Sequence, residues 1–279
     1  MQIQTLVVPV DFSDTAEKAV HYATALAKKL NSELIFAHGY TPVQAPNASA
    51  SMSSTNIPPA QNVVTHEELA RQRMEEFLDG FPEISNTRHT VSVMLGSITD
   101  VVRETVREKK VDLVVTATEG ADELKGFFVG TNSEKLSREA PCPVLIVPDD
   151  VKNYKIDTVC LALDTKDPEN SVSPELLMAL VNAFDAKLRI IHISEDEDTT
   201  AKKTELIDQY QNTLGKTRHS FHVFHGDNPQ DGITKFLDEN PIDLLTLVHR
   251  EHGFFERIFQ PGIRKKLVFS ADIPLLILK

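Results

Sequence analysis

Short runs of Val, Ile and Leu alternate along the chain with longer segments whose apolar residues recur at helical spacing. The first run, residues 3–10, is continuously apolar, as expected of a strand buried on both faces of a sheet. The segment after it is expected to begin a helix capped by Asp14. Its apolar stripe consists of Ala16, Ala19, Val20, Ala23, Ala27 and Leu30. The opening of the chain therefore predicts one strand followed by one amphipathic helix.

The same alternation continues through the first 150 residues. Further strands are predicted at about 33–38, 88–95, 112–116 and 143–147, and helices near 64–79, 97–109 and 131–139. Strands that alternate with helices favour right-handed crossovers and a parallel sheet covered on both faces. The sequence therefore predicts an α/β fold of the doubly wound type.

The second part of the chain repeats the first. Five segments recur in the same order, among them LVVPVDFSD (6–14) as VCLALDTKD (159–167) and APCPVLIVP (140–148) as SADIPLLIL (270–278). Such ordered self-similarity is typical of a duplication. We therefore expect two tandem doubly wound domains, residues 1–150 and 151–279, referred to below as the first and second halves.

Residues 41–63 have no counterpart in the second half. The segment contains four prolines together with Ser, Ala and Asn, a composition typical of a mobile loop. Two interpretations stay open at this point: an insertion without function, or a lid.

Composition and charge exclude several classes of protein. Hydrophobic residues make up 41% and charged residues 25%, as in ordinary globular domains. The net charge of −12, 6% aromatic residues and absence of Trp argue against a nucleic-acid-binding surface. Cys142 and Cys160 are too few for a disulfide scaffold and are expected to be reduced. With neither a secretory signal nor a membrane span evident, we expect a cytoplasmic protein.

A doubly wound sheet binds ligands beyond the carboxyl ends of its strands, where the strand order reverses. Asp11 follows the first strand, and residues 117–133 follow the fourth. Because both positions lie at the same edge of a parallel sheet, we expect them to converge on one ligand.

The segment after the fourth strand is suited to an anion. Gly120 follows the strand, and Gly130 stands directly before a helix. Glycines let backbone N–H groups approach a ligand closely, and a helix N-terminus adds partial positive charge. The hydroxyls of Thr131 and Ser133 can donate to phosphate or ribose oxygens. The pattern predicts a phosphate-binding turn.

With these residues the chain resembles the universal stress protein family, specifically its tandem two-domain members. ATP-binding members carry Gly, two residues, Gly, nine residues, then Gly followed by Ser or Thr. Gly120, Gly130 and Thr131 match this pattern. Ala117 stands where the first Gly is expected. Other matching features are the PVDFSD opening, His38, Gly96 and the APCPVLIVP ending.

The resemblance implies that each half is a sheet of five parallel strands ordered 3-2-1-4-5, and that the first half binds ATP, with or without Mg²⁺. Asp11 would face the adenine–ribose end, and main-chain groups near Gly39 would contact the base. The ribose and phosphates would be surrounded by Ala117, Gly120, Gly130, Thr131, Asn132 and Ser133. Family dimers pair their last strands antiparallel, so 143–147 and 274–278 would join the halves as a pseudo-dimer. A homodimer of whole chains stays open.

The chain departs from the family pattern in both halves. Glu119 stands where Arg or His is usual, and a carboxylate near a phosphate costs about 1–4 kcal/mol; Lys125 or Mg²⁺ would compensate. In the second half the equivalent positions are Val248, Glu251, Pro261 and Gly262. Proline lacks an N–H donor, so the second half is expected to have lost ATP, and Asp164 is expected only to cap a turn.

Other candidate sites have simpler interpretations. The spacing of His219, His222 and His225 puts them on alternating faces of a strand, which does not favour a zinc site. His38 and His192 are expected to be core or near-core histidines with their hydrogen bonds satisfied. Phe254, Phe255, Ile258 and Phe259 either pack in the core or form an apolar partner or ligand surface.

The expected function is therefore a stress-response protein whose first half binds ATP or a related nucleotide as a sensor. Binding would shift residues 41–63 and alter recognition of an unidentified protein partner. No Walker, GxSxG or HExxH motif and no nucleophile–base pair occurs, so at most slow ATP hydrolysis is expected. The alternatives are a nucleotide-free interaction protein and a small-molecule carrier that uses the second half.

Overall fold

The computed structural model describes most of the chain. The described residues are 2–41, 65–118, 131–148, 151, 154–163, 175–194, 201, 203–204, 207–208, 210, 214–225, 229–249 and 273–279. Most of the expected 41–63 loop and two of the motif glycines, Gly120 and Gly130, lie outside these ranges. The same is true of Asp164 and the 254–259 phenylalanine cluster, so their predictions are not tested.

Ten strands and six helices with defined bounds make up most of the described fold. The strands are β1 (Thr5–Pro9), β2 (Glu33–Tyr40), β3 (His89–Leu95), β4 (Leu113–Thr118), β5 (Val144–Pro148), β6 (Thr158–Leu163), β7 (Lys187–Ser194), β8 (His219–His225), β9 (Leu244–Val248) and β10 (Leu275–Leu278). The helices are α1 (Asp14–Leu30), α2 (His66–Leu78), α3 (Ile98–Lys109), α4 (Thr131–Glu139), α5 (Glu175–Phe184) and α6 (Pro229–Glu239), with a short 3-10 helix at Pro82–Asn86. Within the described ranges no helix is both long and apolar enough to cross a membrane.

All ten strands form one sheet in the order β3-β2-β1-β4-β5-β10-β9-β6-β7-β8. Each half therefore has the expected order 3-2-1-4-5, and the prediction is confirmed. Neighbouring strands are parallel except at the centre, where β5 and β10 run antiparallel with Leu145 opposite Leu276. This pairing joins the halves in the way expected of a pseudo-dimer. It also leaves neither of these two strands as an exposed sheet edge.

Helix α1 begins one residue earlier than the predicted cap implies. Ser13 is the N-cap, with extended backbone and a side chain that accepts a hydrogen bond from the Ala16 N–H. Asp14 lies in the first turn of the helix, so the expectation that it caps α1 was wrong. The predicted stripe is confirmed, since Ala19 and Ala23 are fully buried.

Each face of the sheet carries one hydrophobic core that extends through both halves. Helices α1, α2 and α5 cover one face, where Met74 and Leu177 belong to the same buried cluster. Helices α3, α4 and α6 cover the other, where Leu136 and Phe236 share a second cluster. The two halves therefore contribute to common cores on both sides of the β5–β10 pairing.

The duplication is visible in a repeated backbone contact. The Asp112 carboxylate accepts hydrogen bonds from the N–H groups of Gln4 and Thr5, at 2.7 and 3.0 Å. In the second half the Asp243 carboxylate accepts equivalent bonds from Asp157 and Thr158, at 2.9 and 2.8 Å. The same aspartate in each copy therefore anchors the first strand of its own sheet to the fourth.

Lys279, directly after β10, connects the second half to helix α4 of the first. Its Nζ donates to the carbonyls of Ser137 and Arg138, at 2.5 and 3.0 Å. These carbonyls belong to the last turn of α4, where a cation is favourable. Burial lowers the pKa of Lys279 from 10.5 to about 8, an effect that Cys142 partly opposes. The antiparallel register of β10 on β5 places this amine at the end of the helix.

We expect Lys279→Met to destabilise the chain by about 1–3 kcal/mol at pH 7, because two helix-end carbonyls lose their donor. Between pH 8 and 10.5 the folded chain has released the Lys279 proton while the unfolded chain still holds it. Raising the pH across this range therefore increases the unfolding free energy of wild type relative to that of the variant, which has no amine at this position. Chemical denaturation at several pH values measures the difference.

Lys18→Met, at an exposed position of α1, is the matched control and should change the unfolding free energy little. A gap between wild type and Lys279→Met that is constant from pH 7 to 10.5 would contradict the lowered pKa of Lys279.

Candidate functional site

The predicted site lies at the carboxyl edge of the first half, where the strand order reverses between β1 and β4. The two strands pair in parallel with Leu6 opposite Leu113 and Val7 opposite Val114. Asp11 and Ala117 follow these pairs toward the same edge. The structure therefore brings the segment after β1 and the end of β4 together, as expected.

Asp11 is exposed and forms a tight turn into helix α1. Its carboxylate oxygen Oδ1 accepts hydrogen bonds from the backbone N–H of Ser13 at 3.2 Å and from the Ser13 hydroxyl at 2.6 Å. The Ser13 oxygen in turn accepts the Ala16 N–H at 3.2 Å. Asp11 thus orients the residue that caps α1, and it lies at the surface where the adenine–ribose end of a nucleotide was predicted.

Phe12 has a left-handed backbone, with φ of 64°. This region is rare for aromatic residues and costs free energy, so neighbouring contacts must stabilise it. The Phe12 ring lies 4.4 Å from the His38 ring and 5.6 Å from the Phe77 ring, centroid to centroid. The guanidinium carbon of Arg73 lies 4.3 Å from the Phe12 centroid. Four side chains, from the turn after β1, from β2 and from α2, therefore meet beside Asp11.

His38 and His192 occupy equivalent positions in the two halves and make equivalent bonds. His38 Nδ1 lies 2.7 Å from the Val10 carbonyl oxygen, and His192 Nδ1 lies 3.3 Å from that of Leu163. Each imidazole joins the second strand of its half to the end of the first. The prediction of core or near-core positions is confirmed, since His192 is buried, His38 is half-buried and each Nδ1 has a backbone partner.

Position 39 requires glycine because the turn between β3 and α3 passes close to its Cα. A Cβ at this position would lie 2.5 Å from the Gly96 carbonyl oxygen and 2.9 Å from the Ile98 nitrogen. Gly96 itself has φ of 137°, in the range that favours glycine. The backbone between β3 and α3 therefore packs directly on Gly39, which explains this glycine without reference to a ligand.

The main chain of Gly39 nevertheless points toward the candidate site. The last paired residues of β1 and β2 are Pro9 and Ala37, and the Val10 N–H donates to the Ala37 carbonyl at 2.8 Å. Peptide groups alternate direction along a strand, so Gly39 directs its N–H and C=O to the same side as Ala37. The N–H and C=O of Gly39 lie beyond the last paired residue of β1, where the resemblance predicts contact with a base.

Ser133 connects the start of α4 to the end of β4. Its hydroxyl donates to the Ala117 carbonyl at 2.7 Å and lies 3.3 Å from the Thr116 hydroxyl, and the side chain is buried. A serine hydroxyl has one proton, which this bond uses. Ser133 therefore positions the helix, and its expected donation to a ligand stays a prediction that requires this bond to be exchanged.

The N-terminus of α4 lies at the same edge of the sheet. The helix begins at Thr131, as predicted, and Asn132 is exposed in its first turn. The first N–H groups of an α-helix have no partner within the helix, and the helix dipole makes this end positive. The end of β4 and the start of α4 therefore present donors suited to an anion.

Of the three histidines of β8, His222 is half-buried, whereas His219 and His225 are exposed. The His222 ring lies 5.1 Å from the Phe236 ring, and its Nε2 lies 2.8 Å from the Ser220 hydroxyl. Burial, with Arg189 and Lys203 nearby, lowers the pKa of His222. In the part of the chain that the structure describes, no three His, Cys, Asp or Glu side chains form a group able to hold a metal ion.

Comparison with known proteins agrees with this architecture. The family model described as the universal stress protein family matches residues 2–148, more than half of the chain. The chain belongs to the universal stress protein family. The match covers β1 to β5 and therefore the edge that carries Asp11, Ala117 and the start of α4.

One relative and two solved structures are similar to the chain. A Thermus aquaticus universal stress protein, named for the QAH/OAS sulfhydrylase 3′ region, is 28% identical over 153 residues, covering 52% of this chain and 98% of that protein. A universal stress protein structure from Archaeoglobus fulgidus has a TM-score of 0.71 at 18% identity, covering 100% of this chain and 99% of its own. A putative universal stress protein from Pseudomonas aeruginosa UCBPP-PA14 has a TM-score of 0.61 at 13% identity, covering 99% and 93%. The last two support the same fold over the length of the chain.

Arg73 is the residue at this edge that sequence analysis missed. The hydrophobic pattern predicts helix α2 but not which strand end a particular side chain reaches. Phe12 lies within the PVDFSD opening, and no local signal indicates its left-handed backbone. Both features depend on how α2 packs on β2 and β3 and reaches the turn after β1.

We expect Gly39→Ala to lower the unfolding free energy by about 1–3 kcal/mol, because the new methyl group would overlap backbone atoms that cannot move independently. Gly80→Ala is the control, since its added Cβ would meet a single backbone atom, at 3.2 Å, and should cost less. Denaturant melts of both variants measure this. Equal stability of Gly39→Ala and wild type would show that the turn after β3 does not pack on Gly39.

Proposed function

We propose that the first half of this universal stress protein binds ATP or a related nucleotide as a regulatory ligand in a stress response. The observation that carries the proposal is the meeting of Asp11, the Gly39 main chain and the N-terminus of α4 at one sheet edge. A nucleotide needs polar groups for its sugar and base and donors for its phosphates, and this edge offers both.

The proposed arrangement follows the positions of the strand ends. The phosphates would lie against the start of α4, with backbone N–H groups near Gly120 and Gly130 and the side chains of Thr131 and Asn132 as further donors. The base would lie toward β2, where Gly39 directs its peptide groups past the end of β1. Mg²⁺ bound with the phosphates would offset the negative charge of Glu119.

The second half would serve the first without binding nucleotide itself. Pro261 removes an N–H from the motif position, whereas the β5–β10 pairing and Lys279 support helix α4 from outside the site. We propose that residues 1–150 form the nucleotide-binding domain and that residues 151–279 form a domain that stabilises and regulates it.

The proposed role is a cytoplasmic sensor rather than a turnover enzyme. We assign Asp11 a positioning role, since its Oδ1 accepts two hydrogen bonds from Ser13 in the turn that caps α1. Binding of a nucleotide would instead change the surface offered to a protein partner.

Calorimetric titration with ATP, in the presence and absence of Mg²⁺, tests the proposal. We expect wild type to bind ATP, and we expect Gly130→Asp to weaken binding at least tenfold because a carboxylate would stand where a phosphate approaches. Gly262→Asp, directly after Pro261 (the position equivalent to Gly130) in the second half, is the matched control and should leave the affinity unchanged.

Two outcomes would contradict the proposal in different ways. Equal affinity of wild type and Gly130→Asp would eliminate this site, and a loss of affinity in Gly262→Asp alone would move the site to the second half. Mass spectrometry of nucleotide extracted from the purified protein provides an independent measurement, since a tightly bound ligand copurifies.

A further inference from the structure

An exposed cation lies on an aromatic ring at the end of β1. The Arg73 guanidinium carbon is 4.3 Å from the Phe12 centroid, and the Arg73 side chain is exposed. Among the described residues, no carboxylate forms an ion pair with Arg73. Arg71, on the same helix, differs because its Nη2 lies 2.8 Å from the Glu67 carboxylate. Arg73 is therefore held by the ring beneath it rather than by an opposite charge.

The ring beneath Arg73 is held from several sides. Phe12 packs against the rings of His38 and Phe77, and its left-handed backbone directs the chain from Asp11 into the cap of α1. A side chain with this many contacts has few alternative positions. The Arg73–Phe12 pair is therefore an ordered platform directly beside Asp11.

The platform and the start of α4 lie on opposite sides of β1. Helix α2 packs on β2 and β3, whereas α4 follows β4, and β1 lies between β2 and β4 in the sheet. Neighbouring strands are about 4.8 Å apart, so the ends of β2 and β4 are separated by about 10 Å. A nucleotide with its phosphates at α4 would extend its base toward β2 and Arg73.

We propose that the guanidinium of Arg73, stacked on Phe12, is the surface on which the planar base of the nucleotide stacks. This inference rests on the nucleotide-binding function proposed above and adds the residue that recognises the base. A guanidinium is planar and stacks on aromatic faces. The Arg73 guanidinium carbon lies 4.3 Å from the Phe12 centroid on one side, and the exposed side of the group can receive a heteroaromatic ring. Bases are commonly held in this way by arginine planes.

Titrations with ATP and with inorganic triphosphate, on wild type and three variants, test the inference. Arg73→Gln and Arg73→Lys should each weaken ATP binding about tenfold, since neither side chain offers the guanidinium plane and stacking contributes about this much. Both should leave triphosphate affinity unchanged, because the base is absent from that probe. Arg71→Gln removes a charge from the same helix and should change neither affinity. Thermal melts check that each variant folds like wild type.

The other possible results contradict either the stacking inference or the proposed function. If Arg73→Lys retains wild-type ATP affinity, charge rather than stacking is responsible and the inference is wrong. A loss of triphosphate binding in Arg73→Gln would make Arg73 a phosphate contact instead. If wild type binds ATP and every Arg73 variant does so equally, the inference fails while the proposed function stands. If wild type binds no ATP, the proposed function fails and the inference fails with it.

Discussion

The antiparallel pairing of β5 with β10 is the contact on which the rest of the structure depends. It turns two five-stranded sheets into one and removes two edges that would otherwise carry unpaired backbone groups. Because the sheet is continuous, the helices of both halves cover common hydrophobic cores on its two faces. The same register brings Lys279 to the last turn of α4. The helix at the candidate site is thus supported at its start by Ser133 and at its end by a residue of the other half.

Much of the fold could be predicted from the sequence because it depends on local patterns. The observed strands lie within about two residues of the predicted runs, and the duplicated segments predicted two sheets of equal strand order. The N-cap of α1 was harder to predict, because Ser13 and Asp14 are both good capping residues. What decides between them is the Asp11 carboxylate, which fixes the Ser13 hydroxyl. That contact forms only in the folded turn between Asp11 and Ser13, so the local sequence does not reveal it.

The candidate site could be predicted only in part, for a related reason. Asp11, Ala117 and Thr131 follow strands or begin a helix, so the topology alone brings them to one edge. Arg73 reaches that edge because of how α2 packs across the sheet, and Lys279 reaches α4 because of a register between strands far apart in the chain. Neither relation has a period or motif in the sequence. Contacts set by the packing of distant elements are therefore the ones that sequence analysis misses.

The covalent fusion of two pairing partners has a consequence for how such a chain can diverge. When two identical chains associate, every substitution appears in both subunits. Each substitution must therefore preserve both ligand binding and the pairing of the strands. Here the β5–β10 contact is formed within a single molecule, so the stoichiometry of the two copies is fixed at one to one. The second copy can accept a residue such as Pro261 while its terminal strand remains in place. Fusion therefore separates selection on ligand recognition from selection on assembly.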